Sequence, residues 1–275
     1  MRTPPAPLQA RLLNTAVIEL WPAGLLRARG NADARVLSRA RQVLRRKRDG
    51  RYLAAVLDEG LWPLVPRLAR EPGIDAALDL LDAPGPARGP AHPPQGMPLH
   101  GLEDRLAALG IDGAYARRTG LALVAEPEWL LLAGFDRYRR PLWLAPAAAR
   151  AWQAMRRDAA AGGIALEAIS GYRSHDYQLG IFERKRARGL EVAEILQVNA
   201  APGYSEHHGG EALDIGTPGE PPAEESFETT PAFAWLSQHA ARHGFSLSYP
   251  RGNPHGIVYE PWHWYHLGRD GGADR

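Results

Sequence analysis

Near the N-terminus the apolar residues fall at helical spacing. Over 31–48, Val36, Ala40, Val43 and Leu44 recur every three to four positions, leaving Arg35, Arg39, Arg46 and Lys47 on other faces, so the pattern predicts an amphipathic basic helix. The apolar run 52–57 predicts a second helix, and 74–81, entered after Pro72 and Gly73, a third. Residues 1–81 therefore read as a small helical accessory unit. The stretch DAPGPARGPAHPPQGMP, 82–98, has six prolines and no apolar period, and it reads as a semi-rigid linker.

Beyond the linker the period shifts between two and 3.6. LALVA at 121–125 and WLLLA at 129–133 predict strands. Residues 146–160 predict a helix entered through Pro146 and closed by Gly162 and Gly163. LEAIS at 166–170 predicts a strand, 233–243 a helix stopped by Gly244, and FSLSY at 245–249 an alternating strand. Strands mixed with helices, without regular βαβ repetition, predict an α+β unit over 101–275.

Composition narrows the chemistry. Hydrophobic residues make up 45% and charged residues 23% of 275, which excludes wholesale disorder and a membrane bundle. With no cysteine, disulfides, thiolate metal sites and a cysteine nucleophile are excluded, so any metal must be held by His and carboxylate. The net charge of +2 predicts no nucleic-acid partner. Ten Lys or Arg between Arg27 and Arg51 face only Asp33 and Asp49, so the predicted basic helix is a candidate contact for an anionic polymer. No aromatic residues interleave with these cations as a base-stacking platform requires. Neither a signal peptide nor a spanning segment is visible, which points to the cytoplasm unless export depends on something else.

Three clusters in the C-terminal part carry chemistry: SGYRSHDYQ at 170–178, SEHHGGEALDIG at 205–216 and EPWHWYH at 260–266. A catalytic zinc site needs three His, Asp or Glu ligands and a carboxylate to take a proton from water. His207 and Asp214 are two candidate ligands, with Gly209 and Gly210 permitting the turn between them. Pro261 biases Glu260 towards an extended conformation, which places Glu260 in a bend and His263 on the strand that follows. That division suits a base and a ligand.

In this order, SGYRS with a nearby Gln, SxHxxGxAxD and EPWH resemble the VanY-type D-alanyl-D-alanine carboxypeptidases of the LAS metallopeptidase group, named for lysostaphin, D-Ala-D-Ala peptidases and sonic hedgehog. The resemblance covers 121–267. It implies a central antiparallel sheet flanked by helices, and one Zn²⁺ per chain held by His207, Asp214 and His263. It further implies Glu260 as general base, Arg173 as substrate and oxyanion contact, and Gln178 and Ser205 as peptide contacts. The implied substrate is a peptidoglycan stem peptide or muropeptide, which suggests the cell envelope. A phage-type L-alanyl-D-glutamate endopeptidase uses the same parts, and a non-catalytic hedgehog-like zinc module is a further alternative.

Other residues have plainer readings. His208 is expected at the surface or behind the ligands, and His175 and His255 are expected in solvent. His239 and His243 cap a helix C-terminus. His266 is a competing donor beside His263, and 217–230 is a candidate lid.

Overall fold

The computed structural model describes residues 10–82, 94–99 and 101–268. Two antiparallel sheets carry the fold. The larger is ordered β5-β4-β3-β2-β1-β6-β7, built from β1 (Arg11–Asn14), β2 (Ile18–Pro22), β3 (Gln42–Arg46), β4 (Tyr52–Leu57), β5 (Gly60–Pro63), β6 (Trp129–Phe135) and β7 (Pro141–Leu144). The smaller is ordered β10-β11-β9-β8, from β8 (Glu167–Ser170), β9 (Ala212–Gly216), β10 (Phe245–Leu247) and β11 (His263–His266). The α+β reading holds, with eight α-helices among the described residues.

The helical reading of the N-terminal part is corrected. Among the described residues there, α1 (Asn31–Leu37) and α2 (Ile74–Asp82) are the only α-helices, beside five strands and two short 3-10 turns. The misleading signal has a physical cause: β3 and β4 are covered on both faces, so neighbouring residues are buried together and the period of two disappears. Leu44 and Ala54 pack with Ile18, Leu20 and α2's Ile74 and Ala77. Val43 and Ala55 pack on the other side with α1's Val36 and Leu37. No basic helix spans 31–48; Arg41 pairs with Asp58 at 2.5 Å, Arg46 with Asp49 and Glu71, and Arg39 with Glu59.

The expected boundary at the linker is crossed by the sheet itself. β1 pairs with β6, with Leu12 opposite Leu130. Most of the linker lies outside the described residues, but its end runs along the fold, with Met97 N donating to Glu126 O at 2.8 Å and Glu128 N to Gln95 O at 3.0 Å. A buried ion pair adds a second tie: Lys47 Nζ lies 2.5 Å from Glu126 Oε2, with side chains 0% and 5% exposed.

After α3 (Leu102–Ala108) and α4 (Ala114–Thr119), the segment 121–125 joins neither sheet and forms no strand, so that strand too is corrected. α5 (Pro146–Ala161) and the 129–133 and 166–170 strands form nearly as expected. Trp152 and Met155 of α5 pack between the sheets with Leu142, Leu144, Leu213, Phe245 and Trp264. α6 (His175–Arg186) and α7 (Val192–Ile195) follow; α8 (Pro231–His239) continues as a 3-10 turn to His243 and ends at Gly244. The lid candidate is anchored, because Phe227 is buried in the same core.

Two outcomes follow. A chain starting at Gly101 leaves β6 without β1, so it should be insoluble or melt without cooperativity in a thermal scan. Replacing Lys47 with Ala strands a buried carboxylate and should cost about 3–5 kcal/mol in chemical denaturation at neutral pH. Burial raises the Glu126 pKa, but Lys47, His175 and hydrogen bonds outweigh it, so the net shift is below 4.5. That stabilisation is complete above the ordinary carboxylate value and lost as pH falls through the lower folded one, so the gap between wild type and variant should close in acid.

Candidate active site

The site is assembled by strand register. β9 and β11 pair with Asp214 directly opposite His263, which puts both side chains on one face of the sheet. The third member arrives from the 3-10 turn Glu206–Gly209, which returns into β9 through Gly210 at φ 78°. A Cβ on Gly210 would meet Leu130 Cδ2 at 2.6 Å and the Ala145 nitrogen at 2.9 Å, so only glycine allows this close return. As expected, Glu260 sits outside the strand; its carbonyl accepts from His263 N at 3.1 Å and so opens the turn through Pro261 and Trp262.

One donor atom each from His207, Asp214 and His263 lie within 4.8 Å of one another, all three residues buried. His207 Nδ1 faces the Gly171 carbonyl at 2.8 Å. A carbonyl only accepts, so Nδ1 carries the proton and Nε2 presents a lone pair. Nε2 is buried without a hydrogen-bond partner and lies 3.3 Å from Asp214 Oδ1. An orphaned buried nitrogen beside a carboxylate and a second imidazole fits a divalent metal, and the oxygen–nitrogen donors suit zinc.

The electrostatics agree with that use. Burial, helped by Arg173, lowers the His207 pKa to about 4, leaving the neutral imidazole a metal requires. Burial opposes charge on His263 as well, but hydrogen bonds to Asp214 and Glu206 hold it up to about 10. Its Nδ1 is 3.2 Å from Asp214 Oδ1 and its Nε2 2.8 Å from Glu206 Oε2. A metal at Nδ1 would displace a proton there, while Glu206 keeps the proton on Nε2. Glu260 Oε2 is 3.8 Å from His263 Nδ1, and burial pushes the Glu260 pKa up to about 7 against the pull of His263.

Arg173 Nη2 reaches Asp214 Oδ2 at 3.2 Å, and its Nε is buried without a partner. Gln178 lies behind it, 1% exposed, with Oε1 3.5 Å from Arg173 Nη1 and Nε2 donating to Ala200 O at 3.0 Å. Ser205 is buried at the entrance of the 206–209 turn, where its carbonyl accepts from His208 N.

The plainer readings change in part. His208 is fully buried, accepting from Gly203 N at Nε2 and therefore donating from Nδ1 to the Arg173 carbonyl at 2.7 Å. It is a support for Arg173, not a surface residue. His175 and His255 are half-buried, bonded to the Val124 and Thr119 carbonyls, because loops cover them. His266 packs against Gly244 and the Phe245 ring at the far end of β11, away from the donor set. His243 bonds Asp158 at 3.0 Å, and His239 packs on Trp235.

Glu206 is the member of the donor cluster that the motif reading missed. A carboxylate adjoining a candidate ligand histidine was its signal. Strand alternation would point it away, and only the 3-10 turn sends it to His263.

The family model for VanY, D-alanyl-D-alanine carboxypeptidase, matches residues 141–269. A D-alanyl-D-alanine carboxypeptidase of Enterococcus faecium is 31% identical over 141 residues, 50% of this chain and 42% of that protein. VanXYC of Enterococcus gallinarum, a bifunctional D-Ala-D-Ala dipeptidase and carboxypeptidase, is 32% identical over 151 residues, 52% of this chain and 76% of that protein. Among solved structures, the D,D-pentapeptidase VanY in complex with Zn(II) is 26% identical with a TM-score of 0.40, over 47% of this chain and 76% of that one. The chain spans less than half the length of the first curated relatives it matches.

Loss of the Glu206 carboxylate should be felt at the metal. Glu206→Ala should weaken zinc binding about 10- to 100-fold in a competitive chelator titration, with Glu206→Gln, which still accepts from Nε2, falling between.

Proposed function

This chain belongs to the VanY family of D-alanyl-D-alanine carboxypeptidases, and from that premise we propose that it is a zinc-dependent carboxypeptidase removing the terminal D-alanine of peptidoglycan stem peptides. The observation that carries the reading is the juxtaposition of three buried donors with a carboxylate poised near neutrality. The donors of His207, Asp214 and His263 lie within 4.8 Å of one another, and Glu260 stands 3.8 Å from His263.

Bound by His207 Nε2, Asp214 and His263 Nδ1, zinc would supply Lewis-acid polarisation of the scissile carbonyl and acidify a water to a pKa of about 7. Glu260, with its pKa raised to about 7, accepts the proton of the attacking water and returns it to the leaving amine. A closed structural site would have no use for such a base, which disfavours the non-catalytic alternative. Arg173 offsets the negative charge that develops on the carbonyl oxygen, and its unpartnered Nε is a donor still to be used. His208 and Gln178 hold Arg173 from behind, through its carbonyl and its guanidinium. Ser205 sets the entrance of the turn that carries His207.

The substrate class assigns the work to the cell envelope. Among the described residues no helix is long and apolar enough to cross a membrane.

Glu260→Gln keeps the shape of the side chain but cannot accept the proton. The variant should bind zinc as wild type does and lose about 10²- to 10⁴-fold in kcat on a stem pentapeptide, followed by mass spectrometry of released D-alanine. Wild-type turnover in that variant would remove Glu260 from the chemistry.

A further inference from the structure

A cavity of about 370 Å³ opens beside Arg173 and Asp214, and its walls include Trp21 and Arg45 of the N-terminal strands and Tyr138 and Arg140 of the β6–β7 turn. Those four residues all precede residue 141, where the family match begins. The N-terminal sheet therefore builds part of the space next to the candidate metal site.

The walls are two cation–aromatic pairs, each held by a carboxylate. Glu19, buried, accepts from Trp21 Nε1 at 2.7 Å and from Arg45 Nη1 at 2.6 Å. This fixes the Arg45 guanidinium 5.2 Å from the Trp21 ring centre, and Trp21 in turn meets Trp143 edge-on. In the β6–β7 turn, Asp136 accepts from Arg140 Nε at 2.5 Å and the Ile169 carbonyl from its Nη2 at 3.1 Å, with the Arg140 guanidinium 4.8 Å from the Tyr138 ring centre. A guanidinium has five donors, so these contacts orient the two cations without exhausting them. With Asp214 assigned to the metal and Lys47 neutralised by Glu126, Arg45, Arg140 and Arg173 face Glu19 and Asp136, one net positive charge.

A carboxypeptidase substrate has a single residue on one side of the scissile bond and the longer peptide arm on the other. A cavity within the range of about 300–1,000 Å³ typical of ligand sites exceeds what one alanine fills. Resting on the function proposed above, we infer that this cavity receives the upstream arm of the peptide, with Arg45 and Arg140 selecting an arm that bears a free carboxylate. Rigid aromatic faces take the apolar parts of the arm, and the guanidinium groups its acid.

The test compares the pentapeptide L-Ala-γ-D-Glu-L-Lys-D-Ala-D-Ala with its D-glutamate α-amide, using the full-length zinc-loaded protein. Wild type should prefer the acid by about tenfold or more in kcat/KM, expressed in KM, as a hydrogen bond to a charged group predicts. Arg45→Ala should abolish most of that preference and Arg45→Lys retain part of it, with Arg140→Ala as a second probe should Arg45→Ala fail to fold. Equal use of acid and amide by wild type, or an undiminished preference in both alanine variants, would overturn the proposal. Should neither peptide be hydrolysed, calorimetric binding of the same pair decides the matter. Acid preference lost in Arg45→Ala would then sustain the subsite while the carboxypeptidase reading fails, and equal affinities would remove the subsite as well.

Discussion

The carboxylate of Glu126 is the constraint on which much of the rest depends. Buried beside β6, it takes the ammonium of Lys47 from the N-terminal sheet, the hydroxyl of Tyr172 and, at 2.8 Å, the backbone nitrogen of His175. Tyr172 and His175 bracket Arg173 and Ser174, so the same charge that ties the two parts of the chain together also fixes the segment carrying the guanidinium. Burying a carboxylate is costly unless it is paired and fully hydrogen-bonded, and here the partners come from two distant stretches of chain, Lys47 and the segment 172–175. Removing one leaves a penalty that the others cannot absorb.

The donor set shows a second use of buried charge. His207 is kept neutral by burial and oriented by the Gly171 carbonyl, whereas His263 lies between two carboxylates and is kept charged. Two imidazoles 4.9 Å apart thus differ in protonation because their neighbours differ. Glu260 is driven the opposite way from Asp214 and Glu206: Asp214 is buried and the two glutamates half-buried, but cationic partners win for Asp214 and Glu206, while desolvation wins for Glu260. Carboxylates pushed apart in this manner divide naturally into ligand, support and base.

Continuity of the larger sheet changes how the N-terminal strands are viewed. A helical accessory joined by a linker would be dispensable to chemistry. Strands hydrogen-bonded through β1 to β6 are part of the same body, and they place Trp21 and Arg45 within the wall of the cavity at Arg173. The arginines that looked like a polymer-binding stripe are mostly partnered by nearby carboxylates, Arg45 by Glu19 and Arg46 by Asp49 and Glu71.

The sequence by itself singled out the candidate donors and base. His207, Asp214, Glu260 and His263 each sit in a short motif, and Pro261 alone was enough to set Glu260 outside the strand that carries His263. Helices α2, α5 and α8 were legible because each buries one face, which leaves a period of 3.6 in the chain. Tertiary structure decided what has no local signature. β3 and β4 are covered on both sides, so their apolar residues mimic a helix, and only the turn pair Asp49-Gly50 between them marks a hairpin. Glu206 finds His263 fifty-seven residues away only because a 3-10 turn and a strand register bring them together. Lys47 and Glu126, seventy-nine apart, pair for the same reason. Periodicity records which face of an element meets the core; it carries no record of which distant charge waits there.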